Sequence, residues 1–347
     1  MQPINIALCS FGMSGWVFHA PFITQNPGFK FYAVWERSKD LAKQKYPDVK
    51  VFLDFDEMLK DPAVEMVVVN TPSYTHYEYA KKSLQAGKHT IVEKPFTATV
   101  AQAQELIDLA KAKGVNLSVF QNRRYDSDLR TVKKILKEGW LGEIKDAEFR
   151  YDRYNPALSP KIHKETPQPG AGCVYDLGPH LIDSALYLFG VPQAVFADIM
   201  ITRPTSKVDD YFEILLYYPT HRVRLRSGYY YREPVPSFAL HGTLGSFLKS
   251  RSDIQEIQLQ AGMNPSKPEY GVEPDSGRGL LHTEKEGKII RELVNTERGN
   301  YGDYYEEVLQ AMKNKKEMPV TAEQGLNVIK VIELAFRSSK EKKVLDF

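Results

Sequence analysis

Cysteine is scarce in this chain, and long apolar runs are missing. Cys9 and Cys173 are the two cysteines, too few for a disulfide framework, and Cys9 falls in an apolar run as a small core residue would. No apolar run approaches the roughly 20 residues that a membrane-spanning helix requires. The first residues also lack the basic and apolar segments of a signal peptide. We therefore expect a cytoplasmic protein with no membrane partner.

A concentrated basic surface is also missing. The formal net charge is +2, and lysines and arginines are spread along the chain rather than grouped in a stripe, which argues against a nucleic-acid partner. A length of 347 residues exceeds one typical core and suits two domains, and 42% hydrophobic residues are ordinary for a globular protein.

Short apolar runs alternate with helical patterns in the first third of the chain. The strand-like runs lie at residues 4–9, 31–35, 66–69, 90–92 and 116–120. The helical patterns lie at 12–25, 38–45, 74–86 and 100–113, and Gly87 and Gly114 follow the last two as helix stops. Unbroken apolar runs suit strands that are covered on both faces, so residues 1–122 are predicted to form a parallel, doubly wound sheet.

The pattern changes after about residue 122. A helical segment at 127–138 precedes a strand-like stretch at 144–154, and β-rich segments follow from about 194 to 250. Two of them, at 211–218 and 223–231, flank a turn, which is typical of antiparallel strands. Helices are predicted at 304–314 and 321–338, and long loops rich in Pro and Gly at 155–172 and 264–279. Residues 123–347 are therefore predicted to form an α+β domain with a large, mostly antiparallel open sheet.

The turn after the first strand-like run has the spacing of a dinucleotide-binding fingerprint. Its residues are Ser10, Phe11, Gly12, Met13, Ser14 and Gly15, with serine where the fingerprint begins with glycine. Gly12 would let the backbone approach a pyrophosphate at a helix N-terminus, and Gly15 would let the helix pack on the strand. The alternative is an ordinary turn that contains glycine, but the position between a strand and a helix favours the fingerprint.

The residues after the second strand-like run bear on the choice of dinucleotide. Glu36 is placed to bind the ribose hydroxyls of NAD. Arg37 and Ser38 follow at once, and a basic residue with a hydroxyl suits the 2′-phosphate of NADP. Alternatively, Ser38 is the N-cap of a solvated helix. The sequence leaves the choice open and leans to NADP.

Thr71, Pro72 and His76 follow the third strand-like run. Ligands of open α/β sheets bind at the carboxyl ends of the strands, so these residues are predicted to line the cofactor crevice. For His76 an ordinary hydrogen bond at the start of a helix is an equal alternative.

Lys94 ends a further apolar run, in the sequence Glu93-Lys94-Pro95. Lysine is rarely buried without a partner or a chemical role. Asp176 and His180 are one turn apart in a segment with helical periodicity, which places them on one face of a helix. A lysine together with an Asp/His pair can transfer a proton beside a cofactor that accepts a hydride. The structural alternatives are a Lys94–Glu93 pair and a contact between Asp176 and His180 that only stabilises the helix.

In their order along the chain, these motifs resemble the Gfo/Idh/MocA oxidoreductases. The matching segments are 11–15, 70–72 with His76, 86–88, 93–95 and 172–180 followed by Ile182 and Asp183. Segments 17–21, 121–124 and 319–323 are similar to the branch that includes NADP-dependent scyllo-inositol dehydrogenase. The resemblance covers nearly the whole chain.

The resemblance implies a Rossmann domain over 1–122 and a domain for substrate binding and oligomerisation over 123–347. It implies that Lys94 and His180 carry out the proton chemistry with Asp176 beside them, and it gives no metal site. Cofactor contacts are expected from Ser10, Phe11, Gly12, Met13, Ser14, Gly15, Glu36, Arg37, Ser38, Thr71, Pro72, His76, Glu93, Lys94 and Gln121. Substrate contacts are expected from Arg124, Tyr154, His163 and Asp176.

The expected reaction is NAD(P)-dependent oxidation of a secondary alcohol on a neutral cyclitol or sugar, with scyllo-inositol as the first candidate. Asp176 suits adjacent hydroxyls and would repel a carboxylate. Alternatives are a family member with tightly bound NAD that performs a net non-redox step such as glycoside cleavage, and a non-catalytic dinucleotide-sensing regulator. Because the outer face of the second sheet is rich in aromatic and aliphatic residues, a homodimer or homotetramer is expected.

Overall fold

The computed structural model describes residues 2–347, apart from the side chain of His163. The chain forms two compact units. The first contains Met1–Asn122, Gln255–Tyr270 and Asn300–Leu326, and the second contains Arg123–Ile254, Gly271–Gly299 and Asn327–Phe347. The sequence-based division at residue 122 did not anticipate that two later segments join the first unit. Local patterns identify helices and strands but do not show which core an element packs in.

The first unit contains a six-stranded parallel sheet with the order β3-β2-β1-β4-β5-β6. Its strands are β1 Ile4–Leu8, β2 Phe29–Trp35, β3 Lys50–Phe52, β4 Met66–Val69, β5 His89–Glu93 and β6 Leu117–Phe120. The strand order reverses between β1 and β4, which is where open α/β sheets bind ligands. The predicted doubly wound parallel sheet is confirmed. The sequence reading missed β3, because three residues are too few for a recognisable run.

The second unit contains a nine-stranded sheet with the order β14-β13-β12-β11-β7-β10-β9-β8-β15. Its strands are β7 Ile144–Arg150, β8 Ala194–Met200, β9 Tyr211–Tyr217, β10 Arg222–Gly228, β11 Phe238–Gly242, β12 Gly245–Lys249, β13 Gly279–Lys285, β14 Lys288–Val294 and β15 Leu345–Asp346. Only β7 and β10 pair in parallel, so the predicted, mostly antiparallel sheet is confirmed.

Helices connect the strands. They are α1 Ala20–Gln25, α2 Leu41–Lys45, α3 Phe55–Lys60, α4 His76–Gln85, α5 Val100–Lys113, α6 Ser127–Lys137, α7 Ile162–Glu165, α8 Cys173–Asp176, α9 Gly178–Phe189, α10 Ile254–Gln260, α11 Gly302–Asn314 and α12 Ala322–Glu341. A π-helical turn, Gly15–His19, precedes α1. Gly114 ends α5 in the left-handed conformation with φ of 66°, as a helix stop should. Among residues 2–347, no helix has the length and hydropathy needed to cross a bilayer.

Two predicted helices differ from the structure. The helix predicted from residue 38 begins at Leu41 after the N-cap Asp40, so the alternative role of Ser38 as its N-cap is wrong. The segment predicted as one helix with Asp176 and His180 is divided into α8 and α9 at Leu177. Pro179 stands in the first turn of α9, where its missing N–H costs no hydrogen bond.

Candidate active site

The turn after β1 is held by the side chain of Asn70, at the end of β4. The Ser10 N–H donates to Asn70 Oδ1 at 3.0 Å, the Ser10 hydroxyl donates to the Asn70 carbonyl at 2.9 Å, and Asn70 Nδ2 donates to the Ser10 carbonyl at 2.9 Å. Ser10 is not among the described residues with a left-handed backbone angle. Serine therefore fits a position where the fingerprint has glycine, and Asn70 supplies the restraint.

The two glycines of this turn serve different purposes. A Cβ on Gly15 would lie 2.5 Å from the Ser10 carbonyl oxygen, so only glycine lets the π-helical turn pack this closely on the end of β1. A Cβ on Gly12 would meet no described atom within 4 Å, which leaves open space for a pyrophosphate beside the backbone. Phe11 is buried in an aromatic cluster, whereas Met13 is 42% exposed.

Glu36 caps α2. Its carboxylate accepts the N–H groups of Leu41 at 3.3 Å and Ala42 at 2.9 Å, and the residue is buried. Arg37 and Ser38 follow at the surface. Because both carboxylate oxygens already accept backbone hydrogen bonds, Glu36 has less capacity for ribose hydroxyls, while Arg37 and Ser38 remain accessible to a phosphate.

His76 links two segments at the carboxyl edge of the first sheet. Its ring is buried, with Nδ1 2.8 Å from the Pro95 carbonyl oxygen and Nε2 2.9 Å from the Thr71 carbonyl oxygen. Burial lowers the pKa of His76, and the two carbonyls oppose this effect. His76 therefore acts on the crevice by fixing Thr71, Pro72 and Pro95 rather than by presenting a ring nitrogen.

Glu93 ends β5, directly before the half-buried Lys94. Its Oε1 accepts the Ser14 hydroxyl at 2.6 Å and lies 3.0 Å from His19 Nε2, and its Oε2 accepts the Lys94 N–H at 3.2 Å. Gln121 follows β6 and is buried, and its Oε1 has no hydrogen-bond partner among the described residues. This unpartnered oxygen and the open space at Gly12 both fit a bound dinucleotide at this edge.

The second unit carries Asp176 and His180. The Asp176 carboxylate is half-buried and accepts Lys164 Nζ at 3.0 and 2.9 Å. Lys164 lies on α7, inside the segment that was predicted to be a loop, and it was not among the predicted site residues. Asp176 is therefore balanced by a cation that the sequence reading missed. His180 lies in the first turn of α9, 7% exposed, with its ring centroid 6.0 Å from that of Tyr151.

The guanidinium of Arg124 pairs with Asp183 on α9. Nε donates to Oδ2 at 2.8 Å and Nη2 donates to Oδ1 at 2.7 Å, and both residues are buried. Asp183 therefore belongs to a buried ion pair rather than to the exposed surface of α9. Tyr154 is 46% exposed, and Arg232 stacks on its ring at 4.0 Å. The predicted contact from the side chain of His163 lies outside the described residues. Within residues 2–347, no group of three or more His, Cys, Asp or Glu is arranged to hold a metal ion.

Asp209 holds the start of α8. Its Oδ2 accepts the Val174 N–H at 2.7 Å and its carbonyl oxygen accepts the Cys173 N–H at 2.8 Å. Gly172 has φ of +92°, and a Cβ there would collide with the Asp209 carboxylate. Burial raises the pKa of Asp209 to about 6. Sequence reasoning missed Asp209 because it lies far along the chain from the helix that it positions.

Comparison with known proteins connects both units to one family. Residues 4–121 match the Gfo/Idh/MocA oxidoreductase model for the NAD-binding Rossmann fold, and residues 133–347 match the model for its C-terminal alpha/beta domain. The chain is 36% identical over 345 residues to scyllo-inositol 2-dehydrogenase (NADP(+)) IolW of Bacillus subtilis strain 168, across 99% of this chain and 96% of that protein.

Two further relatives agree with this match. A solved structure from Bacteroides fragilis NCTC 9343, named only as an oxidoreductase, is 45% identical, with a TM-score of 0.91, and the match covers 99% of this chain and 100% of that one. D-glucoside 3-dehydrogenase of Escherichia coli strain K12 is 28% identical over 55% of each chain.

Asp209→Asn is expected to remove one source of pH dependence from the stability of the protein. The folded pKa of Asp209 is about 6, above the ordinary value of about 3.9. Its contribution to stability is therefore complete below pH ~4 and is lost as the pH rises through 6. Asparagine keeps an acceptor for the Val174 N–H without the charge. At pH 8 the free energy of unfolding of the variant should be at least that of the wild type, and higher by up to about 2 kcal/mol.

Melting temperatures between pH 4 and 8 test this expectation. Asp275→Asn, at an exposed position, is the control and should follow the wild type. Parallel curves for the wild type and Asp209→Asn across this range would show that Asp209 does not titrate as described.

Proposed function

The chain belongs to the Gfo/Idh/MocA family of oxidoreductases, and we propose that it oxidises a secondary alcohol of a neutral cyclitol or sugar with NADP or NAD. The observation that carries the proposal is the 2.6 Å hydrogen bond between Ser14 and Glu93. It joins the dinucleotide turn to the residue directly before Lys94. The relatives named scyllo-inositol 2-dehydrogenase and D-glucoside 3-dehydrogenase support the substrate class.

When bound, the dinucleotide supplies a nicotinamide that accepts or donates a hydride. The turn from Ser10 to Gly15 would hold the pyrophosphate, and Arg37 and Ser38 would bind a 2′-phosphate. The residues at the ends of β4, β5 and β6 would contact the rest of the dinucleotide. Lys94 Nζ is assigned the proton of the reacting hydroxyl, because a lysine next to a bound cation can have a lowered pKa or donate to an alkoxide. The ring of His180 is assigned a share in moving that one proton, since imidazole is a common general acid and base near working pH.

Asp176 and Lys164 together suit a polyol. The carboxylate accepts hydrogen bonds from hydroxyls and the ammonium donates to them, so two adjacent hydroxyls can replace the ion pair seen in the structure. Lys164 also offsets the negative charge of Asp176. Asp176 is therefore expected to repel a carboxylate substrate less strongly than the sequence predicted.

Lys94→Met is expected to reduce turnover at least ~100-fold, the low end for loss of a general acid–base group, with little change in dinucleotide affinity. Lys113→Met, which removes an exposed lysine of α5, is the control and should keep wild-type turnover. The assay follows NAD(P)H absorbance with a panel of cyclitols, aldoses and simple hydroxy acids and with both cofactors.

The same panel separates the competing functions. Normal turnover by Lys94→Met would remove the proposed role of Lys94, and much faster turnover of lactate or malate than of any cyclitol or sugar would contradict the substrate class. Retention of NAD through purification without net NAD(P)H formation would indicate a non-redox reaction. Dinucleotide binding without any reaction would indicate a sensor.

NADP is expected to be preferred over NAD, because Glu36 caps α2 while Arg37 and Ser38 lie at the surface. Arg37→Ala should lower kcat/KM for NADP at least about tenfold, or about 1.4 kcal/mol, and leave NAD nearly unchanged. Lys43→Ala on α2 makes the same change in charge nearby and is the control. A tenfold preference of the wild type for NAD would show that Glu36 decides the cofactor.

A homodimer or homotetramer is expected to form through the outer face of the nine-stranded sheet. Along β9, Phe212, Ile214 and Leu216 are buried, while Leu215 faces the other way and is half-buried. The face that Leu215 shares also carries the ion pair of Arg224 with Glu213 at 3.3 Å, so it is less apolar than the sequence predicted and would present charged as well as apolar side chains to a second copy. Leu215→Arg should lower the mass measured by light scattering at micromolar concentration. Leu53→Arg, at a 74% exposed position, is the control. A monomeric wild type would contradict the expectation.

A further inference from the structure

A buried chain of hydrogen bonds connects α11 to the dinucleotide turn. The Tyr305 hydroxyl oxygen is 2.6 Å from His19 Nδ1, His19 Nε2 is 3.0 Å from Glu93 Oε1, and the same oxygen accepts the Ser14 hydroxyl at 2.6 Å. Tyr305 is fully buried, and the exposed fractions of the His19 and Glu93 side chains are 0% and 13%. His19 closes the π-helical turn, in which the Ala20 N–H donates to the Gly15 carbonyl. Such turns are frequent at functional sites.

The partners determine which atoms carry protons. An ionised carboxylate only accepts hydrogen bonds, so His19 Nε2 must carry the proton that it shares with Glu93. The neutral ring then accepts at Nδ1, and the Tyr305 hydroxyl donates to it. Each hydrogen bond from Tyr305 to Glu93 then has one donor and one acceptor: the Tyr305 hydroxyl donates to His19 Nδ1, and His19 Nε2 donates to Glu93. No second proton on His19 is required.

Glu93 depends on these donors to stay ionised. Burial by itself would raise the pKa of Glu93, but the hydrogen bond from His19, the Ser14 hydroxyl and the charge of Lys94 outweigh burial, and the pKa is lowered. The titratable groups that interact with Glu93 are His19, His76, Lys94 and Tyr305. Removing His19 would leave a buried carboxylate with fewer donors, a situation that costs more free energy than removing both partners.

We propose that His19 and Tyr305 are positioning residues that keep Glu93 ionised and oriented, and that through Glu93 they hold Ser14 and the backbone of Lys94 ready for the dinucleotide. Neither residue needs to touch the cofactor. The effect on binding rests on the proposed function, whereas the effect on Glu93 itself does not.

A double-mutant cycle without ligand tests the role toward Glu93. His19→Phe, Glu93→Gln and the double variant are compared by melting temperature at pH 5 and pH 8. His19→Phe should be more destabilised at pH 8, because the carboxyl loses the donor that lowers its pKa and can regain a proton only in acid. The double variant should melt above His19→Phe at pH 8. Equal losses at both pH values and no recovery in the double variant would overturn the proposal.

Adjacent tyrosines on α11 provide a matched comparison, which also applies if His19→Phe does not fold. The Tyr304 hydroxyl is equally buried and lies 2.8 Å from Ser118 Oγ. Tyr305→Phe and Tyr304→Phe each remove one buried hydroxyl, and their melting temperatures should fall by similar amounts. Only Tyr305→Phe should weaken dinucleotide binding, by about threefold, the size expected for one neutral hydrogen bond.

Calorimetric titration with NADP and NAD measures this binding. His19→Phe should weaken it at least about tenfold, as expected for a lost hydrogen bond to a charged group, and His19→Gln, which keeps an N–H donor, should recover part of the loss. Equal affinities for Tyr304→Phe and Tyr305→Phe would overturn the positioning role. If the wild type binds neither dinucleotide, the proposed function fails, and the double-mutant cycle alone decides the role of His19.

Discussion

The parallel direction of the strands in the six-stranded sheet decides where the polar residues of the first unit lie. Because all six strands run the same way, the residues that follow them meet at one edge. The polar residues just beyond five of these strands, β1, β2, β4, β5 and β6, are Ser10, Glu36, Asn70, Lys94 and Gln121. An antiparallel arrangement would send alternate members of this set to opposite ends. Helices cover both faces of such a sheet, so polar groups at the edge must find partners within the chain or in a ligand.

Most of these partners come from the chain. Asn70 satisfies Ser10, the N-terminus of α2 satisfies Glu36, and the ring of His76 lies between the carbonyls of Thr71 and Pro95, one of which accepts the single N–H of the neutral imidazole. A buried polar group without a partner costs free energy. Several side chains that the sequence predicts as ligand contacts therefore form hydrogen bonds to the chain's own backbone. The remaining open positions, at Gly12 and Gln121, are then the places where a ligand has room or an unmet hydrogen bond.

Local sequence patterns predicted both sheets and the position of Lys94 at the end of β5, because the period of apolar residues and the glycine stops are local properties. They did not predict the contacts that join distant residues. His19 and Tyr305 lie at opposite ends of the chain, although the segment 17–21 already resembled a family motif. Lys164 was missed because α7 has only four residues inside a segment rich in Pro and Gly. Asp209 was missed because the helix that it holds begins far earlier in the chain.

Two ion pairs of the second unit, Arg124 with Asp183 and Lys164 with Asp176, differ in how exposed their side chains are. The side chains of Arg124 and Asp183 are 5% and 4% exposed, and those of Lys164 and Asp176 are 40% and 30% exposed. Breaking a buried pair by removing one partner costs roughly 3 to 5 kcal/mol, whereas an exposed pair contributes about 1 kcal/mol or less. Arg124 therefore holds α9, which carries His180, through a pair that is costly to break. The pair of Lys164 and Asp176 costs less to break, which is the property that the proposed contact of Asp176 with a hydroxylated ligand requires.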